Sequence, residues 1–294
     1  MKTRIVFACV TAILSIPAFA DTEVDRTLDA DRNGNVEVSN IAGSTVIRGW
    51  SSDKVEVKGT LGDDVEELIF ERSGDTVVIK VKVPRHHGRD IDADLQIKVP
   101  ERSSVDVSGV SADIDVEGVF GEQSLATVSG DVRAVGVSDD IEAASVSGDV
   151  EIGGTGEEAD VEAATVSGDV RLTGLAGSLE LESVSGDVIV IEGSFDSVEL
   201  ETVNGDIEFV SELRDGGELG MESVNGSIEA NFTKEVAGRF DIETFNGSIR
   251  NCFGPEPKRT SKYSPGLELS FEQGDGDSHV IIETLNGSIR ICNR

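Results

Sequence analysis

The chain has 294 residues, of which 57 are acidic and 25 are basic, so its formal net charge at pH 7 is −32. Such an excess of negative charge repels the phosphates of nucleic acids and the surfaces of anionic lipids, and it argues against both partners unless divalent cations bridge. Only 4% of the residues are aromatic, which indicates a narrow core of small apolar side chains.

The first twenty residues predict an export signal. A basic start is followed by an apolar run from Ile5 to Ile16 and by an Ala-x-Ala motif that ends at Ala20. The apolar run is too short to cross a membrane, and no other stretch reaches the roughly 18 apolar residues that a span requires. We therefore expect residues 1–20 to be a signal peptide. The protein is expected in the periplasm, on the cell surface or outside the cell, with no transmembrane segment.

Residues 21–100 predict several β-strands, because apolar and polar residues alternate in short runs between turns at Gly43, Gly62 and Gly74. This segment is less regular than the remainder of the chain. We interpret it as the cap of the repeat structure that follows, since a stack of repeats needs an atypical end to cover its exposed strand edge.

Two motifs in this segment have residue types that could bind metal ions. Residues 29–35 resemble the start of an EF-hand loop, but the twelfth position is Asn40 instead of glutamate and no helices are predicted beside it. His86 and His87 are adjacent, so on a strand they would face opposite sides, and no third ligand is near. We predict a turn and a loop, respectively, and no metal site.

From the middle of the chain to its end, the motif Val-Ser-Gly-Asp or a close variant recurs. The glycines are separated by 18, 20, 18, 19, 21, 21 and 40 residues, and a weaker first copy begins at Val110. The strong copies contain Gly130, Gly148, Gly168, Gly186, Gly205, Gly226, Gly247 and Gly287.

Alternating residues on both sides of each glycine predict two short strands joined at a tight corner, where glycine can adopt a positive φ. A meander of hairpins would not require one period, whereas a solenoid does, because equivalent residues stack. We predict an all-β, single-domain parallel β-helix or β-solenoid with repeats of about 18–21 residues over 101–294. A loop insertion is expected near 254–266. The repeated valines are expected in the core, with Ser or Asn ladders at the corners.

The run from Val38 to Trp50, the strand from Leu95 to Pro100 and the Val-Ser/Asn-Gly series resemble the bacterial putative-adhesin family of β-strand-repeat domains of unknown function. The resemblance covers essentially all of the chain after the predicted signal peptide. It implies a β-helix-like solenoid and a location in the envelope or at the cell surface. The family offers no catalytic motif to transfer.

Two cysteines occupy equivalent places in their repeats, since Cys252 and Cys292 each lie six residues after the corner asparagine. If the two coils are stacked neighbours, their Cα atoms would be about 5 Å apart, within the range of a disulfide. An exported protein can keep that bond. The alternative is that residues 253–280 form an extra coil, which would keep the sulfurs apart.

The aspartates that follow the corner glycines form a second repeated set. Stacked carboxylates repel one another and could attract Ca²⁺. The simpler interpretation, which we favour, is a solvated column in which each carboxylate accepts a hydrogen bond from a nearby backbone amide. We expect no cofactor, with Ca²⁺ as the alternative. The set comprises Asp131, Asp149, Asp169, Asp187 and Asp206.

The sequence favours a non-catalytic envelope or surface protein, an adhesin or binding scaffold that presents an acidic, repetitive surface to a protein or a glycan. The carboxylates recur with the repeat instead of clustering, and there is no tryptophan after residue 100 to stack on sugars. An enzyme acting on polysaccharides through the same fold is one alternative. A periplasmic sensor or scaffold in envelope stress is another.

Overall fold

The computed structural model describes residues 22–84, 90–261 and 265–293, so the predicted signal peptide and the His86-His87 pair lie outside the described residues. The described residues form twenty-three β-strands, which join into one continuous sheet. The described residues contain no helix, and therefore none with the length and apolarity that crossing a membrane requires. The prediction of an all-β protein is confirmed.

The N-terminal segment contains six strands. They are β1 (Thr22–Asp29), β2 (Asn35–Trp50), β3 (Lys54–Leu61), β4 (Glu67–Ser73), β5 (Thr76–Lys82) and β6 (Ala93–Pro100).

The repeats supply the next eleven strands. They are β7 (Ser104–Glu117), β8 (Gln123–Thr127), β9 (Val132–Val137), β10 (Ile141–Ser145), β11 (Val150–Gly154), β12 (Glu158–Ser167), β13 (Val170–Thr173), β14 (Ala176–Ser185), β15 (Val188–Asn204), β16 (Ile207–Asn225) and β17 (Ile228–Phe232).

Six further strands end the chain. They are β18 (Gly238–Asn246), β19 (Ile249–Asn251), β20 (Lys258–Arg259), β21 (Leu267–Gln273), β22 (Ser278–Asn286) and β23 (Ile289–Asn293).

Each repeat forms one coil with a strand before the corner and a strand after it. Consecutive coils pair in parallel, so that equivalent residues lie above one another. We call the surface formed by the strands before the corners the pre-corner face and the surface formed by the strands after them the post-corner face. Strands β15 and β16 are long because each runs from one post-corner segment into the next pre-corner segment.

Alternation along each strand sends every second side chain into the core. In β14, Leu179 and Leu181 are buried, whereas Glu180 and Glu182 are exposed. The next side chain of β14 that points away from the core is that of Val184, which is 45% exposed. The prediction that the valine before the corner belongs to the core is therefore wrong. The period-2 pattern is continuous up to the corner, and it places this valine on the same outward side as the glutamates.

The corner glycines are required by close contact between main chains. None of the eight has a positive φ in the described coils, so the expected conformational role is wrong. A methyl group added at Gly205 would overlap the carbonyl oxygen of Gly186 in the neighbouring coil, and the same overlap recurs at the other corners. The absent side chain allows two corners to stack at the strand spacing of about 4.8 Å.

Both ends of the stack depart from chain order. Strand β2 pairs in parallel with β7 on one side and with β5 and β6 on the other. After β2, the chain first forms the coil of β5 and β6 on the edge of β2 that faces away from the repeats. It then returns to form β7 on the edge that faces the repeats. Antiparallel strands lie beyond that outer coil, with β4 on β5 and with β3 and then β1 on β6.

At the other end, β22 and β23 are inserted between two coils that are consecutive in the chain. Strand β22 pairs with β16 on one side and with β18 on the other. Strand β23 pairs in the same way with β17 and β19. The last coil thus lies next to the coil of β18 and β19, and a disulfide joins Cys252 to Cys292 across them with a Cα–Cα distance of 4.9 Å. Strand β21 lies antiparallel on the outer edge of β18.

Replacing Gly205 with alanine is expected to destabilise the fold by about 3 kcal/mol, because the new methyl group must displace the backbone of the adjacent coil. Gly220 offers a matched control, since it lies mid-strand and an added Cβ would lie 3.9 Å from its nearest neighbour, the carbonyl oxygen of Val198. Gly220→Ala should be neutral or slightly stabilising. Chemical unfolding of both variants measures the difference. Equal midpoints for the two would contradict the close-contact role of the corner.

Candidate binding groove

An exposed column of apolar side chains runs along the pre-corner face. Each coil contributes the residue before its corner Ser or Asn, and each of these side chains is between 40% and 48% exposed. Repetition of large exposed apolar residues at one place in every coil is unusual, because isolated ones are normal but contiguous ones mark interaction sites. In stacking order, this apolar column is Val110, Val128, Val146, Val166, Val184, Val203, Val224, Leu285 and Phe245.

A column of glutamates runs parallel to the apolar column, two residues earlier in each strand. In stacking order, this glutamate column is Glu182, Glu201, Glu222, Glu283 and Glu243. In the coils that precede Glu182, the same positions are Ala164 and Ala144. The ion pairs of the described residues involve other carboxylates. Within residues 22–84, 90–261 and 265–293, the ion pairs thus leave the glutamate column uncompensated.

The two columns form the walls of a groove of about 680 Å³. Its floor is a row of buried Ser and Thr residues, each lying between a glutamate or alanine and its apolar partner. The hydroxyls donate hydrogen bonds to the carbonyl oxygens of the corner glycines one coil away, such as Thr202 Oγ1 to Gly186 O at 3.1 Å and Thr284 Oγ1 to Gly226 O at 3.0 Å. The floor is therefore fixed by the same corners that set the coil spacing.

The post-corner face has a different charge pattern. Asp115, Arg133, Glu151 and Arg171 stack on one another and alternate in sign. Arg133 lies 3.8 Å from Asp115 and 3.6 Å from Glu151. Opposite charges stacked directly stabilise a sheet, whereas like charges destabilise it. The acidic residues are thus paired with basic ones along this part of the face, whereas Glu208 and Glu229 stack directly on each other further along it.

Crowding of the glutamates alters their acidity. Burial and the neighbouring carboxylates, with Glu222 the foremost of them, raise the pKa of Glu201 above its usual value. The pKa of Glu283 is raised for the same reasons, first by burial and then by Glu222 and Glu243. Both shifts indicate that the groove favours neutralisation of its negative charge.

The five aspartates proposed as a column do stack. The Oδ1 atom of each carboxylate accepts a hydrogen bond from the backbone amide one coil further on, as from Asp149 N to Asp131 Oδ1 and from Asp169 N to Asp149 Oδ1, both at 2.9 Å. The series continues through Asp187 and Asp206 to the amide of Ser227. The partner is thus an amide 18 to 21 residues away, not one in the same turn. Calcium binding at this column stays a prediction.

Other candidate residues are engaged in local contacts. Residues 32 and 33 form a turn, as predicted, and the neighbouring Asp31 pairs with Arg72 at 2.8 Å. His279 Nε2 lies 3.4 Å from Asp241 Oδ2, and the pKa of Asp241 is lowered, mainly by its hydrogen bond with Arg239. Within 22–84, 90–261 and 265–293, no three His, Cys, Asp or Glu side chains are placed to hold a metal ion together.

A family model described as Toastrack DUF4097 matches residues 20–178 and 160–292. The two matches overlap and together cover nearly the entire chain. The chain belongs to the Toastrack family. This finding agrees with the expected membership in an all-β family of unknown function.

Solved structures are similar to this Toastrack chain at low identity. A putative adhesin from Parabacteroides distasonis ATCC 8503 is 10% identical, with 94% of this chain and 98% of that chain covered and a TM-score of 0.45. A putative adhesin from Parabacteroides merdae ATCC 43184 is 10% identical, with coverages of 92% and 99% and a TM-score of 0.36. A putative lipid binding protein from P. distasonis is 12% identical, with coverages of 92% and 96% and a TM-score of 0.39. No curated protein matches the chain.

The groove of this Toastrack chain was not predicted from sequence. Two signals for it were present. The glutamates two residues before the apolar position begin only at Glu182, and the apolar position itself continues the outward series of each strand. Counting the period-2 alternation through the corner would have placed Val184 and its equivalents outside.

Replacing Glu201 with glutamine should raise the melting temperature at pH 7 by about 2–4 °C, because it removes like-charge repulsion worth about 1 kcal/mol. Because the pKa of Glu201 is raised in the folded state, the wild-type chain gains stability as the pH falls through that pKa. The difference in melting temperature between Glu201→Gln and the wild type should therefore disappear at about pH 3. Thermal melts at both pH values measure this.

Glu56 provides a control of opposite sign, because a hydrogen bond from Lys98 lowers its pKa. The stability that this carboxylate contributes is present at neutral pH and is lost as the pH falls through the lowered folded-state pKa. Glu56→Gln should therefore reduce the melting temperature at pH 7. A decrease for both variants at pH 7 would refute the repulsion in the groove.

Proposed function

We propose that this protein is an exported, non-catalytic binding scaffold of the cell envelope, and that the groove on its pre-corner face binds a polycationic partner. The observation that carries the proposal is the apolar column beside an uncompensated glutamate column. Export is inferred from the residues before Asp21, which have the pattern of a signal peptide.

The difference in charge pairing between the glutamate column and the stack from Asp115 to Arg171 supports this assignment. Net charge favours solubility wherever it lies on the surface, but stacking carboxylates directly on one another lowers stability, because like charges repel. A partner of opposite charge removes the repulsion when it binds, and it is steered to the groove by the electrostatic potential. The negative charge of the groove therefore favours a protein or glycan partner that is positively charged.

A role without catalysis fits the arrangement of the polar groups. The carboxylates recur once per coil along a shallow face, whereas a hydrolase of polysaccharides places two of them at one cleavage point. His279 contacts Asp241, and the Ser270 side chain also bonds to Asp241, so these three groups do not form a nucleophile, a base and an orienting acid in series.

We also infer that the stack works as a parallel β-helix whose ends are capped. Unpaired strand edges invite association with other chains, and charged antiparallel strands at both ends would block it. Deleting residues 22–29 uncovers the edge of β3, to which all eight residues of β1 pair. Sedimentation of the shortened protein should show oligomers, whereas a purely monomeric species would argue against a capping role.

The binding proposal is tested with polylysine of defined length as the probe. The change is Glu182→Gln, Glu201→Gln and Glu222→Gln in one protein, which removes three charges from the groove. Because electrostatic complementarity depends on where charges lie, this variant should bind polylysine about tenfold more weakly than the wild type at moderate salt. Fluorescence anisotropy of labelled polylysine measures the affinity.

The matched control removes three charges from the post-corner face, through Glu151→Gln, Glu208→Gln and Glu229→Gln. It has the same net charge as the groove variant and should keep most of the affinity of the wild type. If both variants lose affinity equally, net charge alone drives binding, and the groove is not the binding site.

A further inference from the structure

Resting on the proposed function, we propose that the ligand of the groove is a linear aliphatic polyamine whose ammonium groups are separated by three carbon atoms. The starting observation is the row of large apolar side chains that no part of the described chain covers. Their exposure requires an occupant with apolar surface, and the opposite wall requires one with positive charge. A chain of methylenes interrupted by ammonium groups supplies both along its whole length.

The short distance between the apolar column and the glutamate column favours a thin, unbranched ligand. Its walls are residues two apart in the same strand, such as Glu201 and Val203, which are separated by about 6.6 Å along an extended backbone. An α-helix is about 10 Å across with its side chains, so it would rest on the rims without reaching the floor. An extended alkyl chain is thinner than a helix, so it can lie along the two columns and contact the side chains of both.

The spacing of the glutamates selects the spacing of the amines. Successive carboxylates belong to paired strands, so they repeat every ~4.8 Å. In an extended chain each pair of single bonds advances about 2.5 Å, so a three-carbon spacer separates two nitrogens by about 5 Å. A four-carbon spacer separates them by about 6 Å. Only the shorter spacer keeps each ammonium group beside its own glutamate over several coils.

The position of the site follows from the change of residue along the wall. Carboxylates extend over five consecutive coils, from Glu182 to Glu243, and are replaced by Ala164 and Ala144 in the coils before them. Five carboxylates span about 19 Å at the strand spacing. Phe245, the largest member of the apolar column, lies at the outer end of this stretch.

A second copy of the chain is a weaker candidate occupant. Two copies that packed their apolar columns together would bring two uncompensated glutamate columns face to face, in a protein whose net charge is already −32. Like charges directly opposed across an interface cost several kcal/mol. Charge complementarity therefore favours the polyamine.

The test compares two triamines of equal charge, one with two three-carbon spacers and one with two four-carbon spacers, by isothermal titration calorimetry on the protein without its signal peptide. The three-carbon triamine should bind about fivefold more tightly, because it keeps all three ion pairs in register. Glu201→Gln with Glu222→Gln should weaken its binding about tenfold.

Val203→Thr with Val224→Thr probes the apolar wall without changing the charge or the side-chain volume by much. It should weaken binding of the three-carbon triamine by about threefold, since the methylenes lose apolar contact. The control is Glu151→Gln with Glu208→Gln on the post-corner face, which should bind as the wild type does. A loss of affinity in that control would overturn the site.

The remaining outcomes separate this inference from the proposed function. Equal affinity for the two triamines, or binding of neither by a protein whose groove still binds polylysine, would overturn the polyamine assignment and leave the binding scaffold standing. If neither triamine binds and polylysine does not bind either, both proposals are overturned. If instead the wild type sediments as a dimer while the Val203→Thr, Val224→Thr variant sediments as a monomer, the polyamine assignment is overturned, because the groove then binds a second copy of the chain.

Discussion

Contact between the main chains of stacked corners is the constraint on which the other features depend. Because Gly186 and Gly205 have no side chains, their coils approach to the strand spacing at the corner as well as in the strands. Every residue then lies directly above its counterpart. The aspartate series, the Ser and Thr hydroxyls of the groove floor and the two walls are all columns created by that register.

A fold that stacks like on like repeats its unfavourable contacts along with its favourable ones. On the post-corner face, from β7 to β13, the repulsion is relieved by alternating acidic and basic residues, as at Arg133 between Asp115 and Glu151. On the pre-corner face it persists, and burial together with this repulsion raises the pKa of Glu201. A local departure from the pattern that stabilises the other face is where a functional surface is expected.

The fold class and the groove differed in how far sequence could predict them. The period of the repeat and the alternation within it were enough for the β-solenoid class, because both reflect burial along a single strand. The inward assignment of Val184 and the positive φ of the corner glycines were wrong, since both were argued from local rules. The corner glycines are required because the backbone of the neighbouring coil lies against them. The pairing of β22 with β16 likewise connects residues that are far apart in the chain. No local pattern carries such information.

The displaced last coil makes the native stack depend on strands that are distant in the chain. A stack built in chain order would grow by one coil at a time as the polypeptide emerges, with each new layer resting on the last. Here the coil of β18 and β19 is made before the coil that separates it from β16 and β17. In the native structure the space between these two coils is filled by β22 and β23. The native stack is therefore complete only when residues 278–293 are in place, since the coils of β16–β17 and β18–β19 pair through them and not with each other.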